Sequence, residues 1–341
     1  MKRIIPLVLL LAFLLVGCAV KPSVPAEKQY TATFLTLFDT VTTIVGRAES
    51  EEAFHAKAQE IHDVLLEYHR LFDIYTDYEG LNNLKTVNDN AGIAPVKVDE
   101  RIISLLKDCR YYWEITGGSV NAAMGSVLYL WHEARNDSLN DPANAYVPDK
   151  DALSEASRHV NFNDVVIDEA ASEVYIADPA LRLDVGAVAK GWVVQKVAET
   201  APSGMLISVG GNVCATGPKD ESGTAWVIGI QDPDGGDYLH TVYLAKGSVV
   251  TSGDYQRAYS VNGELYHHII DPETLHPSGY FRSVTIICED SGLADALSTA
   301  LFVLPLEEGR ALAEACGAEA MWVDAEGEIQ YSLGFEKLIR T

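Results

Sequence analysis

Ser283-Val284-Thr285-Ile286-Ile287-Cys288 and then, two residues on, Ser291-Gly292-Leu293-Ala294-Asp295-Ala296-Leu297-Ser298-Thr299-Ala300-Leu301-Phe302-Val303-Leu304 is the stretch on which the fold turns. The first run is dominated by β-branched residues and reads as a buried strand. In the second, Leu297, Leu301 and Leu304 recur at helical spacing, so strand passes to helix across a two-residue turn. Outward from here the alternation continues back to about residue 172, with strands predicted over 173–176, 205–209, 225–230, 241–244, 283–288 and 320–323. Helices are predicted over 186–199, 291–304 and 306–315. Near the start, residues 31–46 are rich in β-branched and aromatic types and fit one or two strands. Ser50 caps a helix running to about Tyr75, and a further helix over 99–116 stops at Gly117-Gly118. No internal repeat interrupts this order, which describes an α+β body of two lobes with mixed or antiparallel sheets flanked by helices.

Composition narrows the function classes. The 341 residues carry 49 Asp+Glu against 25 Lys+Arg, a formal net charge of −24, and 48% of them are hydrophobic. Such a chain buries a large core and is neither collagen-like, disordered nor a multi-span membrane protein. The acidity argues against nucleic acid, which needs a basic face. Met1-Lys2-Arg3 precedes an apolar run from Ile4 to Val16, the pattern of a secretory signal, too short for a stable spanning helix. Leu15-Val16-Gly17-Cys18 resembles a bacterial lipobox, which implies a signal peptide over 1–17 and lipidation of Cys18. An ordinary signal peptide with an incidental Cys is the other reading. Residues 18–29, with two prolines and no period, read as a tether, and the folded body as 30–341. The expected location is the extracytoplasmic face of the cell membrane, held by lipid. Cys109, Cys214, Cys288 and Cys316 form no CxxC or Cys/His cluster, so buried thiols are expected rather than zinc.

Four segments could carry chemistry, and each has a bland alternative. Leu183-Asp184-Val185-Gly186-Ala187-Val188-Ala189-Lys190-Gly191-Trp192 places glycines about a helix start, where backbone N–H groups and Lys190 could meet phosphate, or where two elements merely pack. Ser208-Val209-Gly210-Gly211-Asn212 is a close backbone approach to a ligand or a plain turn. Thr251-Ser252-Gly253-Asp254-Tyr255 is followed by Tyr266-His267-His268-Ile269-Ile270-Asp271-Pro272. Adjacent histidines on a strand point to opposite faces, so one at most faces a pocket as a base; the alternative is a solvated edge. In Ala294-Asp295-Ala296-Leu297-Ser298-Thr299, Asp295 and Thr299 share a helix face. They offer two hard oxygen ligands suited to Mg2+, or else a surface Asp and a Thr bonding back to a carbonyl.

These segments in this order, with Phe38-Asp39-Thr40, Phe72-Asp73-Ile74-Tyr75, Asn88 before Ala91-Gly92, and Gly117-Gly118-Ser119-Val120-Asn121, resemble the FAD:protein FMN transferase family, the ApbE-type flavin transferases. The resemblance extends from about Thr31 to about Ser332. It implies a T-fold-like architecture and transfer of the FMN moiety of FAD to a Thr hydroxyl of a partner protein, with Mg2+ present and AMP leaving. Asp184 and Lys190 are expected near FAD. The main-chain carbonyl of Ala187, with Asp295, Thr299 and Ser298, would hold the metal. Phe38, Tyr75, Ser119, Val120, Asn121, Ile269 and Ile270 would border the flavin or adenosine, and His268 would act as base. The partner would be an extracytoplasmic or membrane-bound redox protein. Two departures stand out: the family commonly has Met-Gly-Thr at Phe38-Asp39-Thr40, and Gly-Gly-Ala-Phe-Asp at residues 117–121, so Asn121 lacks the charge of Asp. The competing functions are an FAD pyrophosphatase giving FMN and AMP, and a lipid-anchored flavin- or solute-binding protein without chemistry.

Overall fold

A computed structural model describes residues 27–341. The signal peptide, Cys18 and most of the tether lie outside the described residues. The first strand begins at Lys28, two residues before the expected start of the body.

β1 (Lys28–Leu35) and β2 (Val41–Ala48) form a hairpin, and α1 (Glu51–Phe72) follows, capped by the Ser50 hydroxyl, which accepts the Ala53 N–H. Next come α2 (Leu84–Asp89), the two-residue β3 (Val96–Lys97), α3 (Glu100–Ile115), α4 (Gly125–Asn140) and α5 (Lys150–Ala156). β4 (Val165–Asp168) and β5 (Glu173–Ile176) precede α6 (Ala189–Thr200), then β6 (Leu206–Val209) and β7 (Asn212–Ala215). β8 (Trp226–Gln231) pairs with β9 (Tyr238–Leu244), and β10 (Gly247–Gly253), β11 (Ala258–Val261) and β12 (Glu264–His267) follow. The chain closes with β13 (Phe281–Cys288), α7 (Ser291–Val303), α8 (Leu306–Ala315), β14 (Glu319–Asp324) and β15 (Ile329–Tyr331).

Eight strands make one sheet in the order β1-β2-β6-β7-β10-β13-β14-β15, every neighbouring pair antiparallel. Three smaller antiparallel sheets, β3-β5-β4, β8-β9 and β11-β12, complete the strands. One core runs from the sheet through α1, α3, α6 and α7. A separate cluster joins Met124, Val127 and Trp131 of the α4 region to Tyr259 and Ile270. These are the two lobes, the large sheet with its helices and the smaller α4/β11–β12 unit.

α7 departs from the expected one-sided stripe. Of its thirteen residues only Leu293 and Thr299 keep partial exposure, so it is a central helix rather than an amphipathic surface one. Polar groups on such a helix must find partners inside the protein. The Ser298 hydroxyl donates to the Asp295 carbonyl at 2.8 Å and sits 2.8 Å from the Ser252 hydroxyl. Asp295 finds its partner on α6, where Gly191 N–H donates to Oδ2 at 2.8 Å.

Only glycine permits that contact. A Cβ at residue 191 would lie 2.2 Å from the Ser291 carbonyl oxygen and 2.4 Å from the Asp295 Cβ. Gly191→Ala therefore has to push α6 from α7. We expect a loss of roughly 1–3 kcal/mol or more in chemical denaturation, the range for overpacked cores; an unchanged midpoint would mean that the helices part freely.

Candidate active site

The two lobes enclose a cavity of about 960 Å³, at the upper end of the size of small-molecule sites. Phe38, Tyr75, Ser119, Val120, Asn121, Asp184, Ala187, Lys190, His268, Ile269, Ile270, Asp295 and Thr299 all line it. Residues separated by more than 250 positions thus meet in one space, while Ser298 is fully buried and not among the lining residues, its hydroxyl bonded to the Asp295 carbonyl and to the lining Ser252.

The oxygen donors come from how α6 begins. Gly186–Val188 form a turn, and the helix starts at Ala189, three residues later than the sequence suggests. Several N–H groups of this turn are engaged internally: Gly186 donates to Asp184 Oδ1 at 2.8 Å, and Val188 and Ala189 both donate to the Val185 carbonyl. The expected bare N–H cradle is therefore largely filled. In an uninterrupted helix the Gly191 N–H would bond the Ala187 carbonyl four residues back. Because it reaches Asp295 instead, the Ala187 carbonyl accepts no hydrogen bond among the described residues. Asp295 Oδ1 and the Thr299 hydroxyl likewise have no hydrogen-bond partner there, so Thr299 does not bond back to its own helix. A main-chain carbonyl, a carboxylate oxygen and a hydroxyl, all unengaged, fit a hard cation that takes its remaining ligands from water or substrate. Among the described residues no group of three or more His, Cys, Asp or Glu could hold a metal by itself, which disfavours zinc-type ligation.

Lys190 Nζ lies 3.3 Å from the Gly186 carbonyl and 3.7 Å from Asp295 Oδ2. Burial pushes the Asp295 carboxyl up from its ordinary range, while Lys190, the Gly191 N–H and the nearby Asn212 amide pull it back toward the ionised form. Asp184 is also raised by burial, against the Gly186 N–H, His132, Arg257 and Lys190.

The histidine pair divides between buried and cavity-facing, but only His267 belongs to β12, and His268 lies just beyond its end. His267 is buried, with Nδ1 accepting the Ile269 N–H at 3.2 Å and Nε2 2.9 Å from the Ser278 carbonyl, so it is a structural imidazole carrying its proton on Nε2. His268 opens to the water of the cavity, yet cavity walls surround it on most sides. That crowding, then Arg257, Lys190, His267 and Arg135, pushes it down to about 3, leaving a neutral base at physiological pH.

The cavity's apolar wall comes from buried Val120, Ile269 and Ile270. Phe38 sits at φ 52° between Thr36 at φ 84° and Asp39 at φ 52°, and its N–H donates to His69 Nδ1 at 3.3 Å. The family's Gly at residue 39 suits that left-handed backbone; Asp tolerates it at a cost. Asn121 has both ends engaged, Nδ2 donating to the Val160 carbonyl at 2.7 Å and Oδ1 accepting the Ala123 N–H at 2.9 Å. It holds the loop after α3 rather than a ligand. Asp73 is likewise a turn former, accepting the Tyr75 and Thr76 N–H groups and the Tyr78 hydroxyl. The Tyr75 ring lies tilted beside that of His132, its hydroxyl 3.1 Å from Nδ1. Asn88 exchanges two hydrogen bonds with the backbone of Leu183, fixing the extended segment that leads into Asp184.

Sequence reasoning missed His132, Arg135 and Arg257, and quoted Asn212 only within the Ser208–Asn212 segment without giving its side chain a role; all four line the cavity. The first two belong to α4, whose buried Val127, Trp131 and Ala134 carry a helical period that could have revealed it. Asn212 follows the two-residue turn Gly210-Gly211, both at positive φ as a type I′ turn demands. A Cβ at 210 would strike Thr40 at 2.8 Å. The Asn212 side chain is buried with Nδ2 unpartnered.

Residues 38–322 match the model of the ApbE family. The chain belongs to the ApbE family. A FAD:protein FMN transferase of Treponema pallidum is 34% identical over 306 residues, spanning 84% of this chain and 82% of that protein. One from Klebsiella pneumoniae is 29% identical over 254 residues, covering 70% and 76%. Among solved structures, the ApbE protein of Thermotoga maritima superposes with a TM-score of 0.81 at 30% identity, over 92% of this chain and all of that one. The Pseudomonas stutzeri flavinyl transferase ApbE shares the fold at TM-score 0.74 and 24% identity, covering 92% and 97%.

The His268 environment has a pH consequence. Its folded value of about 3 lies below the ordinary histidine value of 6.5, so between these limits the unfolded chain binds a proton that the folded one does not. Its contribution to stability is therefore present above 6.5 and lost as pH falls toward 3. NMR titration of the free protein should show the imidazole still neutral at pH 5, and His268→Gln should shallow the acid limb of the stability curve; a midpoint at 6.5 or above would contradict both.

Proposed function

We propose that this ApbE-family protein transfers the FMN moiety of FAD to a Thr hydroxyl of another protein, with Mg2+ at the unengaged oxygens, and releases AMP. The observation that carries the reading is their convergence: the free oxygens of Ala187, Asp295 and Thr299, the Lys190 ammonium and the neutral His268 share one cavity. The relatives named above, FAD:protein FMN transferases, support the substrate and the acceptor class.

When bound, Mg2+ acts as a Lewis acid on the diphosphate of FAD. The chain's own residues do the rest. Val120, Ile269 and Ile270 give the isoalloxazine an apolar wall, and Phe38 and Tyr75 offer ring faces. Lys190 offsets negative charge beside Asp295 and stands ready to pair with phosphate. His268 accepts the proton of the incoming hydroxyl on a ring nitrogen. The new P–O bond forms at the flavin-side phosphorus as its bond to the bridging oxygen breaks, and that oxygen leaves on AMP. Cys18 as a lipid anchor would hold the body at the extracytoplasmic face of the membrane, where the acceptor would be a membrane-bound or extracytoplasmic redox protein. The described residues contain no helix long and apolar enough to span a membrane.

The test is mass spectrometry of a Thr-bearing acceptor domain incubated with residues 27–341, FAD and Mg2+. The acceptor should gain the mass of FMN, EDTA should abolish the gain, and Asp295→Asn should slow it by roughly 10²-fold or more. Free FMN and AMP with an unmodified acceptor would make the protein a pyrophosphatase, and intact retained FAD a binding protein.

A further inference from the structure

Two guanidinium groups in the cavity have no role in the reading above. Arg135 comes from α4 and Arg257 from the turn between β10 and β11, so opposite sequence regions deliver them to the same space. Neither has a carboxylate partner within 4.0 Å among the described residues. Four of the eleven arginines among the described residues pair with a carboxylate; what sets Arg135 and Arg257 apart from the other unpaired ones is that both line the cavity. Arg101, Arg158, Arg282 and Arg310 each pair with at least one Asp or Glu. Arg257 reaches only the Phe38 carbonyl, at 3.5 Å, and no hydrogen bond from Arg135 is present among the described residues. Arg135 is half-buried, and burial followed by the Arg257 charge pushes it down from its ordinary value. Like charges held together in a partly desolvated cavity raise the free energy of the empty site. An anion entering between them relieves it.

We propose that Arg135 and Arg257 form a guanidinium clamp for the diphosphate of the flavin dinucleotide and make the site select phosphorylated flavins over riboflavin. The inference rests on the dinucleotide reading of the cavity. A planar guanidinium matches phosphate oxygens with two parallel N–H donors, which an ammonium cannot do. The clamp supplies a second cationic wall, so the diphosphate meets fixed positive charge both from Lys190 and from the smaller lobe. It also binds independently of a metal, because neither arginine belongs to the oxygen set of Ala187, Asp295 and Thr299.

The experiment is equilibrium binding of FAD and of riboflavin, followed by flavin fluorescence in EDTA at low and high salt, to the wild-type chain and to Arg135→Gln, Arg257→Gln and Arg257→Lys. Wild type should prefer FAD, and each Gln variant should lose roughly tenfold or more of FAD affinity with riboflavin unchanged. Arg257→Lys should recover part of that loss, and the salt dependence for FAD should shrink in the Gln variants. Inorganic pyrophosphate should compete with FAD on wild type, a measurement that needs no variant to fold. Wild type that binds neither flavin would sink the dinucleotide reading itself. Wild type that binds FAD while pyrophosphate fails to compete, or Gln variants that bind FAD as well as wild type, would overturn the clamp alone. Equal loss of FAD and riboflavin would also overturn it, since the arginines would then act on cavity shape.

Discussion

The structure depends on one close approach, that of α6 to α7 at Gly191. A residue with any side chain would drive a carbon into the Ser291 carbonyl and the Asp295 Cβ. With glycine there, the backbone N–H reaches Asp295 Oδ2 at 2.8 Å, and three consequences follow. The carboxylate is fixed on a helix that is otherwise almost entirely apolar. The Ala187 carbonyl loses its helical donor and is left for a ligand. Lys190, the residue before the glycine, is carried to within 3.7 Å of the same carboxylate. One missing methyl group therefore sets the packing of the two helices and the chemistry between them.

Charge in the cavity is divided between its walls. The floor, built by α6 and α7, carries hard oxygens with a single ammonium beside them. The opposite wall, built by α4 and the β10–β11 turn, carries Arg135 and Arg257. His268 stands where these fields overlap, and crowding together with the surrounding cations disfavours a fourth positive charge there. The same fields oppose its taking a proton until a bound anionic diphosphate offsets the cations. Its neighbour His267 shows the contrast, since two hydrogen bonds hold that ring in the smaller lobe and leave no nitrogen free. Two identical residues side by side thus acquire different roles because His267 closes β12 with both ring nitrogens bonded, whereas His268 lies just past the strand end and faces the cavity.

Much of this was legible before any coordinates. The strand over 173–176 and the helix over 306–315 fall where their patterns place them, because a sharp hydrophobic period coincides there with turn residues. Asp295 and Thr299 were legible as a pair because four residues is one helical turn. What stayed hidden was set by tertiary context. α4 begins at Gly125 without a side-chain cap, so nothing local announces it, and the site residues it carries went unseen with it. The start of α6 was placed at Gly186 because a glycine-flanked turn and a helix N-terminus look alike in sequence; only the Asp184 bond to the Gly186 N–H separates them. Ser298 looked equivalent to Thr299, being adjacent and also a hydroxyl. A step of one residue turns a helical side chain by about 100°, enough to bring Thr299 to the cavity surface while Ser298 stays fully buried behind the cavity-lining Ser252.

The departures from the family pattern have local reasons. At residue 121 the family's Asp offers only acceptors, whereas this chain's Asn has a donor as well, and the fold uses both: the oxygen takes the Ala123 N–H and the amide reaches across to the Val160 carbonyl. A carboxylate there would keep the first bond and set its charge against a carbonyl oxygen in the second. The difference therefore ties the loop after α3 to the segment after α5, and so braces the wall on which Ser119 and Val120 stand. Residue 39 is different, because no hydrogen bond from the Asp39 side chain accompanies its left-handed φ of 52° among the described residues. The strain lies in the connection that carries Phe38 to the cavity, and the Phe38 N–H bond to His69 holds it in place. At residue 121 the new side chain gains a structural bond, and at residue 39 the backbone of the family is kept despite the side chain.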